Sequence, residues 1–184
     1  MPCGCGKSQG VVSVLNTNGI LQTYNDIIPA LWGPHYWTIL HSLAERAGSQ
    51  ENSLMRNDEI AEWGRLVKTL EKAIPCDECR GHYKAWVTAH PFDQILALPY
   101  SQFREGVRSY WFDLHTDVNR RLGKSNINYA DLSTLYEVSC VSQALKEVEP
   151  IILGGLRLGY ITLLNWKNFV RNVKTLVGVY GIYK

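Results

Sequence analysis

From position 34 onward, large apolar side chains return every three or four residues, the spacing that lines one face of an α-helix. Trp37, Leu40, His41 and Ala44 form one such face, with Gly48 as its stop. Ile60, Trp63, Val67, Leu70 and Ile74 form a second, which Asn57 is placed to cap and Pro75 interrupts. A third, short helix is expected from Cys76 to the His90-Pro91 pair, with Cys76, Cys79, Tyr83 and Trp86 along one side. A fourth runs from about Ser101 to Leu122, burying Phe103, Val107, Tyr110, Trp111, Leu114, Val118 and Leu122, and Gly123 ends it. Leu132, Leu135, Val138, Val141, Ala144 and Leu145 suggest a fifth, and Pro150 precedes a further apolar region. No stretch alternates with period two, so the pattern predicts an all-α fold, a bundle of four or five helices.

The ends differ from the middle. Residues 1–31 are rich in Gly, Ser and Asn and read as a flexible arm, 32–148 as the helical domain, and 149–184 as a C-terminal helical extension. In that extension Leu164, Trp166, Phe169, Val170, Val173, Leu176 and Val177 make an apolar stripe opposite Lys167, Arg171 and Lys174. The plain reading is a helix packed on the bundle or at a dimer interface; the alternative is docking on a membrane surface or a larger assembly. With 184 residues, 46% of them hydrophobic and 20% charged, the chain can bury a proper core. Its formal charge of +2 gives no electrostatic ground for nucleic-acid binding. The longest apolar stretch, Ile151 to Leu164, is broken by Arg157 and is shorter than the roughly 20 residues of a membrane-spanning helix. The opening MPCGCGKSQG has no apolar run, so no secretory signal peptide is expected, and the protein reads as soluble.

Five cysteines are distributed as Cys3 and Cys5, Cys76 and Cys79, and Cys140 alone. Two close pairs and a singleton do not brace a fold, so redox chemistry or metal binding is the better question. In Pro75-Cys76-Asp77-Glu78-Cys79 the thiols fall in the first turn of a helix, close enough to bridge, where the positive end of the helix favours a thiolate. A thioredoxin-like reading needs a βαβ context that this pattern lacks. A zinc reading could add His82 and His90, but their spacing is irregular and both also read as exposed helix-surface histidines. Trp37 with His41, and His115 with Asn119, lie one helical turn apart and offer flat faces and hydrogen bonds to an aromatic cofactor. Singly, each also reads as core packing.

In combination these segments resemble the Erv/ALR flavin-linked sulfhydryl oxidases. Trp37-Thr38-Ile39-Leu40-His41-Ser42-Leu43-Ala44 is similar to that family's Trp-Thr-x-Leu-His-x-x-Ala helix, and Pro75-Cys76-Asp77-Glu78-Cys79 to its redox motif. His115-Thr116-Asp117-Val118-Asn119-Arg120-Arg121-Leu122-Gly123-Lys124 resembles its His-Asn-x-Val-Asn-x-x-Leu-x-Lys helix end, with Thr116 where the family usually has Asn. The three occur in the family's order over about residues 32–130.

The resemblance implies a helical bundle that holds FAD, usually as a homodimer, oxidises protein dithiols and passes electrons to O2, giving H2O2. By it, Cys79 lies against the flavin ring and Cys76 exchanges disulfides with incoming thiols. Trp37, His41, His115, Val118, Asn119, Leu122 and Lys124 line the FAD site, Lys124 near the phosphates, and Gly33 permits close approach of backbone and cofactor. Cys3 and Cys5 become a shuttle pair on the arm, within or between subunits. Cys140, with no evident partner, reads as a buried thiol, with an intersubunit bridge as the alternative. Sulfur exchange followed by loss of an electron pair to a flavin needs no metal. The competing reading is a zinc-stabilised or assembly module, such as a virion component, with little oxidase turnover. The expected location is the cytoplasm, or the virion for a virus-encoded member, with the mitochondrial intermembrane space as the alternative.

Overall fold

A computed structural model describes residues 28–136 and 141–181. Its regular structure is helical, with no strand among the described residues: α1 (Pro29–Ala44), α2 (Ser53–Ala73), α3 (Asp77–Ala89), α4 (Asp93–Leu96), α5 (Tyr100–Arg121), α6 (Leu132–Leu135), α7 (Val141–Arg157) and α8 (Leu163–Val179). The all-α expectation holds.

Helix starts differ from the pattern where the first turns face solvent and carry no apolar stripe. α1 begins at Pro29, whose fixed φ suits a first turn, and Pro34 lies inside the helix. The helix therefore begins before position 34, where the apolar pattern starts, and Trp32 is already buried in the core. α2 is capped by Asn52, not Asn57, through a 2.8 Å bond from the Leu54 amide to the Asn52 side chain. The expected fifth helix is split into the four-residue α6 and the start of α7; Val138 and Cys140 lie outside the described residues. α7 then continues through Pro150, which sits on its exposed side, so that residue is no boundary. Leu122, at the end of α5, and Leu164, in the first turn of α8, are 58% and 68% exposed and do not join the buried faces assigned to them.

α8 lies along α2 and α7 along α1, while α1 also packs on α5. One apolar core runs from Trp32 through Trp63, Trp111 and Phe103 to Phe169, Leu176 and Tyr180. Position 148/149 falls in the middle of α7, and the helix of the C-terminal extension packs on the bundle, as its plain reading expects, with Ile152, Trp166, Phe169, Val173, Leu176 and Val177 in that core. The apolar side of α8 is spent on α2, which leaves Lys167, Arg171 and Lys174 outside. Among the described residues no helix is long and apolar enough to cross a membrane.

Candidate active site

Ile74-Pro75 breaks α2 and Cys76 caps α3, so the sharp α2–α3 corner presents both sulfurs at a helix start. Cys76 and Cys79 form a disulfide with their Cα atoms 5.2 Å apart. The Cys79 amide donates to Cys76 Sγ at 3.2 Å, so the N-terminal field of α3 falls most directly on the Cys76 sulfur. Both cysteines are half-buried against the core. Asp77, exposed in the first turn, is paired with Arg80 at 3.0 Å. The same guanidinium donates to the Ile74 carbonyl (3.0 Å) and to the Tyr160 carbonyl in the α7–α8 turn (2.8 Å), holding the corner to the C-terminal helices. His82 and His90 do not converge on the sulfurs: both are exposed, and His90 stacks on Trp86 with ring centres 3.9 Å apart.

The second element is an aromatic wall where α1 meets α5. Trp37 and His115 stack nearly parallel, 4.1 Å between ring centres. His41 Nε2 and His115 Nδ1 are 3.0 Å apart in a buried hydrogen bond. On its other side His41 stacks on Tyr136 at 4.5 Å, a residue the sequence pattern did not single out. Burial, with the neighbouring His115 and Arg108, pushes the His41 imidazole down to about 3. Burial and the nearby Lys124 charge push His115 down to about 4. Both rings are thus neutral at pH 7, and one donates its N–H to the bare nitrogen of the other.

The remaining residues of the proposed cofactor set gather at the end of α5. Asn119 is buried and its amide reaches the Ser125 carbonyl at 3.4 Å, while Val118 is half-buried. Gly123, at φ +63°, turns the chain so that the Lys124 amide bonds the Asn119 carbonyl at 2.9 Å and the Lys124 side chain is left exposed. Leu122 points largely to solvent. Gly33 is half-buried on α1, and a Cβ built there would meet open space. Cys3, Cys5 and Cys140 lie outside the described residues.

Tyr36, the neighbour of Trp37 on α1, donates its hydroxyl to the Ala73 carbonyl at 2.7 Å and so fixes α1 to the end of α2, just before the Ile74-Pro75 break. Such a set suits a flat aromatic cofactor: neutral imidazoles and an indole supply stacking surface, Asn119 an amide, and Lys124 an exposed cation for an anionic tail. Thr116 Oγ1, one residue past His115, is buried with no protein partner, so its hydrogen-bonding capacity is unclaimed. Because Trp37 and His115 touch face to face, a ring would lie against the wall and not between them.

Compared with known proteins, residues 34–137 match the family described as Erv1 / Alr family. Over 139 residues the chain is 27% identical to protein 088R of Frog virus 3 (isolate Goorha), assigned by inference as an FAD-linked sulfhydryl oxidase; the match covers 76% of this chain and 83% of that one. It is 30% identical over 109 residues, 59% of this chain and 82% of the relative, to an FAD-linked sulfhydryl oxidase of African swine fever virus (isolate Pig/Kenya/KEN-50/1950). A third relative, an FAD-linked sulfhydryl oxidase of African swine fever virus (isolate Tick/Malawi/Lil 20-1/1983), is 29% identical over 116 residues, 60% of this chain and 84% of its own. No solved structure matches the chain significantly.

Proposed function

The chain belongs to the Erv1 / Alr family, and we propose that Cys76 is its exchange cysteine, Cys79 the sulfur that faces the cofactor, and the Trp37–His41–His115–Asn119–Lys124 surface the cofactor's seat. The protein is an FAD-linked sulfhydryl oxidase, an enzyme that converts dithiols to disulfides with O2 as acceptor. The observation that carries the residue assignment is the bridged Cys76–Cys79 pair at a helix start, following the α2 end that Tyr36 of α1 holds by its bond to the Ala73 carbonyl.

A substrate thiolate attacks Cys76 Sγ; the new sulfur–sulfur bond forms as the Cys76–Cys79 bond breaks, and Cys79 departs as a thiolate. The second substrate thiolate then attacks its own partner sulfur in that mixed disulfide, and Cys76 leaves as a thiolate. The Cys79 amide at 3.2 Å is placed to stabilise negative charge on Cys76 and so to make it a good leaving group. The substrate leaves with a disulfide and the enzyme holds two reduced sulfurs. FAD, held by Trp37, His41, His115, Asn119 and Lys124, would supply the acceptor for that electron pair and its route to O2, with H2O2 as the product. The wall's part is to orient the ring by stacking, keep water away from its covered face, and offer one imidazole N–H without carrying charge. Lys124 neutralises phosphate.

Cys3 and Cys5 act as a relay between substrate and Cys76 in this reading, and the enzyme works in the cytoplasm of an infected cell or in the particle, a location suggested by its viral relatives. Association with a second copy, which the family resemblance implies, would need a surface other than the sides of α1 and α2 that α7 and α8 occupy. Docking through α8 would use the cationic edge of Lys167, Arg171 and Lys174. The test is an absorption spectrum and thiol-dependent O2 uptake of the purified protein. Cys76→Ser and Cys79→Ser should each abolish turnover and retain the flavin spectrum. Full turnover in either variant sinks the assignment.

A further inference from the structure

Of the ten large apolar side chains left exposed among the described residues, five fall within the twelve positions from Leu153 to Leu164: Leu153, Leu158, Tyr160, Leu163 and Leu164. They belong to the end of α7, the turn after it and the first turn of α8. This tip is built with defined bonds. Gly159 at φ +76° lets the Tyr160 amide close back on the Gly155 carbonyl at 3.0 Å, and the Thr162 hydroxyl caps α8 by accepting from the Asn165 amide at 3.2 Å. Arg80 of α3 holds the Tyr160 carbonyl at 2.8 Å. A fixed turn that keeps five such side chains in water marks a contact surface.

Charge divides along the chain in the same way. The first 149 residues carry 14 Lys and Arg against all 17 Asp and Glu, whereas residues 150–184 carry five cations and no acid. The net +2 is thus −3 up to the middle of α7 and +5 beyond it. Arg157 lies one turn past Leu153 on α7, and Lys167, Arg171 and Lys174 follow Leu164 at steps of three, four and three on α8, so cations and leucines share exposed faces. None of these four cations is in an ion pair among the described residues. Leu153 and Leu163 line one open groove with Lys167, Arg171 and Lys174, in which Glu149 is the one acid.

We propose that the α7–α8 tip docks on the surface of an anionic phospholipid bilayer, with Leu158, Tyr160, Leu163 and Leu164 at the acyl boundary and Arg157, Lys167, Arg171 and Lys174 among the headgroups. A lipid surface uses both halves of the patch, since apolar area and basic charge add in interfacial binding, and a tyrosine suits the headgroup level. Nucleic acid would engage the cations and leave the leucines against water and phosphate. An acidic protein would do the same in part, and leucine is under-represented among the residues that anchor protein interfaces. Docking of this kind does not depend on the role assigned to Cys76.

Flotation of the full FAD-bound chain with vesicles tests this. The protein should float with phosphatidylcholine vesicles containing about 30% phosphatidylserine, stay behind with pure phosphatidylcholine, and be released as salt rises from about 0.1 to about 0.5 M. Arg171→Gln with Lys174→Gln should weaken partitioning about thirtyfold, and Leu163→Ser with Leu164→Ser about tenfold or more. Lys68→Gln with Lys84→Gln removes the same charge from exposed sites on α2 and α3 and should change it little. Failure to float with the anionic vesicles overturns the proposal, as does equal binding to neutral ones. Equal losses in the two charge pairs would mean attraction by net charge alone, and no loss in the serine pair would mean that the leucines stay in water; either result also overturns it. Dithiothreitol oxidation, measured on the same samples without vesicles, should be retained by all three variants, so a failure of docking is read separately from a failure of the oxidase assignment.

Discussion

The wall at Trp37, His41, His115 and Tyr136 and the knot at Glu59 both bury titratable side chains, but in opposite ways. At the knot every polar group is matched. Glu59 accepts from the Gly48 amide (2.8 Å), from Tyr180 (2.7 Å) and from a short bond with Tyr100, while Trp63 is satisfied through Tyr180. Burial and the Glu59 carboxylate push the Tyr180 hydroxyl far above its ordinary value, and push Tyr100 up to about 12, so both remain donors. At the wall the two imidazoles have chiefly each other, and Ser42 Oγ and Thr116 Oγ1 beside them are buried without partners. A complete network specifies a fold; an incomplete one, edged by flat rings and a cation, is what a ligand completes.

The contrast is broken most severely at the knot. Glu59→Ala would strand the Tyr180 hydroxyl, the Tyr100 hydroxyl and the Gly48 amide, and should cost about 3 to 5 kcal/mol of unfolding free energy. Urea denaturation followed by circular dichroism reads this, and a loss below about 1 kcal/mol would mean that water or rearrangement replaces the carboxylate. The flavin-to-protein ratio of the folded fraction should not change.

Acid should act on the wall instead. His41 and His115 sit at about 3 and 4 in the fold, against 6.5 for an unperturbed imidazole. Between those limits the unfolded chain binds more protons than the folded one, so stability is full above about pH 6.5 and falls as pH drops below it. From pH 7 to pH 5.5 the two rings together should remove about 2.5 kcal/mol. Replacing both by Phe should flatten that part of the stability profile; an unchanged slope would place the acid sensitivity elsewhere.

These two regions were not equally legible in the sequence. His41, His115 and Asn119 stand out because each sits at a fixed offset from another motif residue on one helix. Tyr136 does not: it follows the short α6, where no periodicity marks it, and meets His41 only in the fold. Glu59 was hidden for the same reason on a larger scale, its partners lying 41 and 121 residues away. One local hint existed, since Glu59 falls a turn before Trp63 on the apolar stripe of α2. A pattern that scores acids as solvent-facing discards it. Helix starts were misplaced where an exposed first turn bears no stripe, as at Asn52, and α7 outlasts Pro150 because the ring projects to solvent.

At the wall, His115→Ala should weaken FAD binding by roughly tenfold, the value of one lost stacking surface and one hydrogen bond, about 1.4 kcal/mol. Fluorescence titration of flavin-stripped protein measures it. The urea midpoint at pH 7 should move less than it does for Glu59→Ala, because the ring it leaves unpartnered, His41, still stacks on Tyr136. A variant that loses stability while keeping flavin affinity would reverse the roles assigned to the two regions.

The smallest effect tests whether the knot tolerates backbone change. Gly48 holds φ at +69°, and a Cβ there would lie 3.1 Å from the Arg104 amide nitrogen. A left-handed residue with a side chain costs about 1 kcal/mol on conformational grounds, and Arg104 is backbone on an ordered helix, so it cannot move aside freely. The Gly48 amide also supplies one of the bonds to Glu59. Gly48→Ala should therefore lower stability by about 1 to 2 kcal/mol, and the loss should shrink when Glu59 is already Ala, because the two residues share one network. Strict additivity in that double-mutant cycle would show that the turn and the carboxylate contribute separately, and that the matched character of the knot rests on Tyr100 and Tyr180 alone.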